Sequence, residues 1–200
     1  MGKTKRKSKP PTPESLTPLL APLQALQDLL VRFRDQGVII GGIAVSLLGT
    51  PRYTVDLDAV LLLDLKDIPA LLQAASELGI EPRIPNIEAF AQKNRVLLLR
   101  HVATSTDIDL SLGLLPFEIE MVERSNVVEI GPLKLRLPTP EDLIILKAVA
   151  HRPKDLLDIQ EIIKSQPRLD RKRIELWVRQ FAEALEMPEI WGDVEKLFPL

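Results

Sequence analysis

Cysteine is absent from the 200 residues, which excludes disulfides, thiolate metal sites and cysteine nucleophiles and fits a reducing cytoplasm. Aromatic residues are scarce, with five Phe, two Trp and one Tyr, so the core must be aliphatic. Trp177 and Trp191 are read as core residues of a helical C-terminal part. Histidine occurs twice, at His101 and His151. The two lie far apart in sequence and neither has a metal-type partner nearby, so neither is read as a ligand or a catalyst. No stretch approaches the roughly 18–20 uninterrupted apolar residues of a membrane span, and the N-terminus lacks the apolar region of a signal peptide. What remains is a chain that is 46% hydrophobic and 27% charged, with a mean hydropathy of +0.07. That is the profile of a soluble globular protein with one core or two small ones.

The net charge of −2 conceals an asymmetry. Lys3, Lys5, Arg6, Lys7 and Lys9 form a basic tail that contains no acid and runs into "KPPTP". Without those five residues the chain keeps 21 of its 26 basic residues against 28 acidic ones, leaving a body of about −7. An acidic body is a poor general partner for nucleic acid, although a basic tail can touch RNA or an anionic surface. Residues 1–13 are expected to be a disordered, solvated arm.

Periodicity divides the rest. Leu19, Leu23, Leu26, Leu30 and Phe33 follow 4-3-4-3 spacing and predict an amphipathic helix, which Gly37 is expected to close. "VII" (38–40) reads as a short buried strand. Gly41-Gly42 then leads into a short helix over "IAVSLL", closed by Gly49. "TVDLDAVLLL" (54–63) is a strand whose second half is apolar on both faces, as in a central strand. A helix follows to Gly79, with Asp67 as N-cap. "IEPRIPNIEAFAQKN" is broken by proline and stays unassigned. "RVLLLRHV" (95–102) and "DIDLSLGL" (107–114) read as strands, "PFEIEMVERS" as a short helix and "NVVEIGPLKLRLP" as a hairpin. From residue 139 the pattern is helical: Thr139 serves as N-cap, Pro140 as first position and Asp142 as capping-box partner. The expected fold is a mixed α+β domain over 14–138 with a small central sheet, followed by a helical subdomain over 139–200.

Asp56 and Asp58 point to one face of their strand, about 7 Å apart or closer. Two ionised carboxylates so close to an apolar core repel each other and resist desolvation. They are tolerable if both are solvated, if a cation neutralises them, or if one is protonated. Three features favour the cation. The acids sit on a central strand. A strand–Gly-Gly–helix unit upstream gives phosphate a close backbone approach and a helix N-terminus. Asp109 lies on a second strand with one polar face, and three carboxylates converging from neighbouring strands make a hard oxygen site for Mg²⁺, where two ions can clamp a phosphoryl transfer. Other motifs fail. An EF-hand loop from Asp56 would need Gly where Leu61 stands, a P-loop is broken by Thr50-Pro51, and no dinucleotide fingerprint is present. "DLDAV" has the outline of a dehalogenase-type phosphatase motif, but there the apolar strand precedes the acids and here it follows them.

Gly41-Gly42, the short helix, Arg52-Tyr53-Thr54 and Asp56-Leu57-Asp58 resemble motif I of the DNA polymerase β-like nucleotidyltransferases. The form is closest to the minimal bacterial group that includes AbiEii-type toxins and lincosamide-type nucleotidyltransferases. "IDLSLG" around Asp109 resembles the strand that carries the third carboxylate of that superfamily. "LPTPEDLIILKAVAHRPKDLLDI" (137–159) is similar to the later part of the AbiEii-like group. The resemblance implies a nucleotidyltransferase fold. It also implies that a nucleoside monophosphate passes from a nucleoside triphosphate to a hydroxyl acceptor, with loss of pyrophosphate. By the same resemblance Gly41 and Gly42 hold the triphosphate, with Arg52 and Thr54 beside them, Asp56 and Asp58 bind Mg²⁺, and Asp109 completes the metal site and serves as general base.

Two departures stand out. Gly42 replaces a serine common in the family, which leaves backbone contacts alone. Asp107, on the same face as Asp109, leaves the third ligand open between the two, with "DLSLG" favouring Asp109. Lys147 lies on an apolar helix stripe and either snorkels to water or contacts triphosphate, which the resemblance favours. Arg152 and Lys154 reach phosphate or acceptor, or solvate a helix start. Asp155 and Asp158 orient Lys147 or the acceptor, or pair with Lys154 at the surface. The acceptor is open among RNA, protein and a small molecule. A toxin-like role with a small antitoxin partner follows only by analogy. The alternative is a degenerate domain acting as a binding or antitoxin-type module, against which stand the three carboxylates and both glycines.

Overall fold

The computed structural model describes residues 14–199; the basic tail expected to be disordered lies outside the described residues. The leucine period delivers its helix: Leu23, Leu26 and Leu30 are fully buried along α1 (Leu20–Arg32), with Leu19 at its N-cap. Gly37 does not close it. The helix ends at Arg32, the chain reverses through Arg34 and Asp35 at φ of 60° and 55°, and Gly37 opens β1 (Gly37–Ile40). Its place there is steric, since a Cβ would lie 2.6 Å from Leu30 Cδ2 and 2.9 Å from the Val60 carbonyl.

After β1 come α2 (Gly41–Leu48), β2 (Asp56–Leu62), α3 (Ile68–Ser76), β3 (Ile80–Pro82), α4 (Ile87–Asn94), β4 (Val96–His101), β5 (Thr106–Gly113) and α5 (Pro116–Arg124). The strand read over 54–63 is shorter at its start because Thr54 and Val55 belong to the approach to β2. The proline-broken stretch resolves into β3 and α4. Asp67 precedes α3 without a side-chain cap bond, so its predicted capping role is not realised.

Among the described residues the main sheet has five strands in the order β1-β2-β5-β4-β3. β2 and β5 run parallel and the other neighbours antiparallel. The period of two then sorts side chains. Leu57, Ala59 and Leu61 on β2, Ile108 and Leu110 on β5, and Leu97 and Leu99 on β4 share one face, and all are fully buried. Burying each of the larger side chains stabilises by about 1.5–3 kcal/mol, and a one-residue slip would expose the whole set. The apolar face therefore locks the register, and the register places every acid of β2 and β5 on the opposite face.

A separate hairpin, β6 (Asn126–Ile130) and β7 (Leu133–Leu137), turns through Gly131 at φ 53° and packs by β7 on β1 and α1. The C-terminal helices are α6 (Pro140–Ala150), α7 (Pro153–Ser165), α8 (Arg171–Ala184) and α9 (Glu189–Glu195). Thr139 Oγ1 accepts from the Asp142 amide at 3.2 Å, as an N-cap does. Asp142 does not complete the capping box. Its carboxylate is fully buried and receives Arg173 Nε at 2.8 Å and Arg124 Nε at 3.4 Å, fixing α8 and α5 to α6. Trp191 is buried, and Trp177 meets Phe117 edge-on at 5.3 Å, joining α8 to α5. No helix among the described residues is long and apolar enough to cross a membrane.

Candidate functional site

The parallel pairing of β2 with β5 sets Asp56 opposite Asp107 and Asp58 opposite Asp109. Four carboxylates thus form a square at the N-terminal ends of two adjacent strands. The two columns are treated differently. Asp107 receives Arg100 Nε at 2.7 Å and Arg83 Nη1 at 2.6 Å. The Arg100 hydrogen bond is the main reason its carboxyl lies below the usual range; burial pushes it the other way, and Arg83 adds to the lowering. Arg83 Nη2 also bonds Asp109 Oδ1. Asp109 is nonetheless pushed up, first by burial and then by Asp56 and Asp107, which together outweigh the pull of Arg83.

Asp58 has no hydrogen-bond or ion-pair partner among the described residues. Burial raises its carboxyl, and Asp56 and Asp109 raise it further, while Lys147 and Lys154 pull it down from a distance. Asp56 is exposed, and its Oδ1 accepts from Thr54 Oγ1 at 3.0 Å. An unpaired, desolvated carboxylate beside two others is electrostatically unfavourable on its own. A hard cation with oxygen affinity is the group that relieves it, and the donor set of Asp56, Asp58 and Asp109 fits Mg²⁺. Among the described residues no three His, Cys, Asp or Glu side chains stand as a preformed ion cage, and Asp109 is engaged by Arg83.

Both glycines of α2 are set against this square. Gly41 has φ 63°, and a Cβ there would fall 1.8 Å from Asp58 Oδ2, so any side chain would evict the carboxylate. A Cβ at Gly42 would meet Thr54 Oγ1 at 2.5 Å. This accounts for the missing serine: Thr54 fills the space while reaching Asp56. The N-cap of α2 is Ile40, which offers no side-chain acceptor. The first-turn amides are therefore uncapped and stand beside the acids, the arrangement in which a helix N-terminus receives an anion.

The second half of the site comes from α6 and α7. Lys147 does not snorkel: it is 7% exposed, with Nζ 3.1 Å from Asp155 Oδ1 and 2.9 Å from Asp158 Oδ2. Arg52 Nε lies 3.0 Å from Asp158 Oδ1, and its Nη2 donates to Oδ2 at 3.1 Å. Arg152 donates to Asp155 through Nε at 2.5 Å and Nη2 at 3.1 Å. Burial pushes the Asp155 carboxyl up, but the hydrogen bonds from Arg152 and Lys147 more than offset this and hold it below the usual range. The result is a chain of five side chains, Arg52–Asp158–Lys147–Asp155–Arg152, with three positive and two negative charges.

Asp155 and Asp158 thus orient Lys147, and neither pairs with Lys154, which is exposed and has no hydrogen-bond or ion-pair partner among the described residues. The two histidines stand elsewhere: His101 Nδ1 lies 2.8 Å from Thr104 Oγ1, and His151 Nε2 lies 3.3 Å from Asp193 Oδ2. Sequence reasoning missed Arg83 and Arg100. Arg100 is the cross-strand partner of Asp107, a pairing visible once the two strands are taken as neighbours. Arg83 sits in the proline-broken stretch, where no period marks its place.

The description "Nucleotidyltransferase of unknown function (DUF6036)" belongs to a family whose model matches residues 16–175. Among solved structures, an antigenic nucleotidyltransferase-like protein from Paracoccidioides brasiliensis is 16% identical, with a TM-score of 0.52 over 96% of this chain and 97% of that one. The antibiotic-resistance factor ANT(2'')-Ia is 14% identical, with a TM-score of 0.55 over 86% of this chain and 96% of its own. At these identities the likeness is one of fold. No curated protein sequence matches the chain.

Proposed function

The chain belongs to the nucleotidyltransferase family of unknown function that its residues 16–175 match, and from that premise we propose that it transfers a nucleoside monophosphate from a nucleoside triphosphate to a hydroxyl acceptor. The observation that carries this reading is Asp58, a desolvated carboxylate pressed against the backbone of Gly41, flanked by two further acids and without an ion-pair partner among the described residues. Asp56 and Asp58 hold Mg²⁺, and Asp109 completes the metal site for a second ion. Bound there, Mg²⁺ supplies charge neutralisation between the carboxylates and the phosphate oxygens.

The remaining work falls to the chain. The uncapped amides of Gly41 and Gly42 receive the triphosphate, and Thr54 holds Asp56 in position. The surplus positive charge of the Arg52–Lys147–Arg152 network favours the tetra-anionic substrate, with exposed Lys154 free to reach phosphate or acceptor. Asp109, opposite Asp58 on the neighbouring strand, takes the proton of the acceptor hydroxyl. The acceptor oxygen forms a bond to the α-phosphorus, the bond from that phosphorus to the bridging oxygen breaks, and pyrophosphate departs. Catalysis is mostly positioning and electrostatic stabilisation.

The acceptor class stays open among RNA, protein and a small molecule, and a toxin-like role with a small protein partner rests on resemblance alone. A second reading, a binding module without transfer, is favoured by one observation: Arg83 occupies Asp109. Incubation with α-labelled nucleoside triphosphates, Mg²⁺ and cell extract separates the two. Label transfer that disappears in Asp56→Ala and Asp58→Ala supports the enzyme. Triphosphate binding without transfer supports the module, and neither binding nor transfer sinks both.

A further inference from the structure

Arg83 follows the last residue of the edge strand β3, and its amide donates to the Leu98 carbonyl at 3.0 Å. Leu98 is in turn the cross-strand partner of Asp109. The backbone anchor thus sets the Arg83 side chain to pass over β4 and reach β5, where its two terminal nitrogens take one oxygen each from Asp107 and Asp109. The side chain is only 21% exposed, so this is a packed, two-pronged placement rather than a surface pairing. Asp107 has Arg100 as well, whereas Asp109 has Arg83 alone among the described residues. Asp109 is the carboxylate directly opposite Asp58.

We propose that Arg83 is a positioning residue that occupies Asp109 in the nucleotide-free protein, so that a divalent cation binds there tightly only when Arg83 gives way. This inference rests on the reading of Asp56, Asp58 and Asp109 as metal-binding acids. Arg83 takes up Oδ1 of Asp109 and sets a positive charge against that carboxylate, which opposes a cation arriving there, so Arg83 is a competitor built into the fold. Asp107 gives it a place to stay once it leaves Asp109: one prong keeps its partner while the other is released. An incoming triphosphate brings its own anionic oxygens to the site and thereby supplies the released prong with a new partner. Cation loading at Asp109 is coupled to nucleotide arrival, which keeps the nucleotide-free site at one ion, on Asp56 and Asp58.

The test is Mn²⁺ binding followed by electron paramagnetic resonance of the full-length protein without nucleotide. Wild type is expected to bind one Mn²⁺. Arg83→Met, which keeps the length of the stem, should gain a second site or bind Mn²⁺ at least about tenfold more tightly, the scale of a lost charged hydrogen bond. Arg83→Lys, with one prong, should fall between. Removing any nearby positive charge also strengthens cation binding, so Arg100→Met is the control. It deletes the same charge beside Asp107 but frees no oxygen of Asp109, and should change Mn²⁺ affinity by less than about threefold. Circular dichroism of each variant confirms that it is folded, and Arg83→Lys carries the test if Arg83→Met is not.

Equal Mn²⁺ binding by wild type and both Arg83 variants, lost in Asp58→Asn, overturns the inference and leaves the metal reading standing. An Arg100→Met effect as large as that of Arg83→Met overturns it too, by reducing Arg83 to general field. No Mn²⁺ binding by any of these proteins overturns both.

Discussion

The carboxylate square on β2 and β5 and the five-residue chain across Arg52, α6 and α7 are built from the same kinds of group and are balanced in opposite ways. In the chain every carboxylate has two cationic partners, and both acids are buried. In the square one carboxylate, Asp107, is doubly paired, one is shared with an arginine, and two have no cationic partner among the described residues. Paired charge fixes the C-terminal helices to motif I. Unpaired charge is left where substrate and metal are proposed to arrive. The lesson is that the two regions should fail differently: the square by losing function with the fold intact, the network by losing the fold.

Breaking the square gives the largest expected effect. Asp58→Ala should lower nucleotidyl transfer by about a thousandfold or more, roughly 4 kcal/mol of transition-state stabilisation. It should leave the thermal midpoint of the metal-free protein unchanged or higher, because a repelled, desolvated charge is removed. Calorimetry alongside the transfer assay checks both halves.

Lys147→Met breaks the network instead. It leaves Asp155 and Asp158 buried without their shared amine, and should destabilise by about 3 kcal/mol or more, read from urea denaturation. If Lys147→Met folds as stably as wild type, the network is not structural and the contrast between the regions collapses.

Acid should distinguish the network further. The carboxyl of Asp155 is held below its ordinary value of 3.8, so between the folded and unfolded values the unfolded chain binds more protons. The stability it contributes is therefore fully present above the unfolded value and is lost as pH falls through the folded one. Asp155→Asn should be about 1.5–3 kcal/mol less stable than wild type near neutrality. The gap should close as the pH is taken below about 4, which urea melts at a series of pH values would follow.

The smallest effect lies at the seam between the regions. Gly42→Ser places a Cβ against Thr54 Oγ1 and should cost about 1–3 kcal/mol. Thr54→Ala should relieve much of that cost, a coupling measured by a double-mutant cycle.

Much of this was legible in sequence because it depends on period. The alternation of "DIDLSLG" and the apolar run after Asp58 identify two strands and the face their acids share, and strand pairing then brings those acids together. The 4-3-4-3 leucines and the Thr139-Pro140 start identify helices in the same way. What period does not carry is long-range pairing. The apolar stripe around Lys147 suggests a snorkelling side chain, and only packing shows Asp155 and Asp158 closing over its amine. Arg83 lies between two prolines in a segment without alternation, so its reach to Asp109 has no local signature. Gly37 and Gly42 look like a helix stop and a phosphate loop, yet each is required by close neighbours, Leu30 and the Val60 carbonyl for Gly37 and Thr54 for Gly42. The capping role expected of Asp142 is displaced by two arginines from distant helices, a competition no local motif can register.

The most direct test of the account is a crystal structure with Mg²⁺ and a nonhydrolysable nucleoside triphosphate. The account predicts phosphates against the amides of Gly41 and Gly42, Mg²⁺ on Asp56 and Asp58, and the Arg52–Asp158–Lys147–Asp155–Arg152 chain unbroken beside them. A triphosphate bound elsewhere, with no cation on either Asp56 or Asp58, would contradict it.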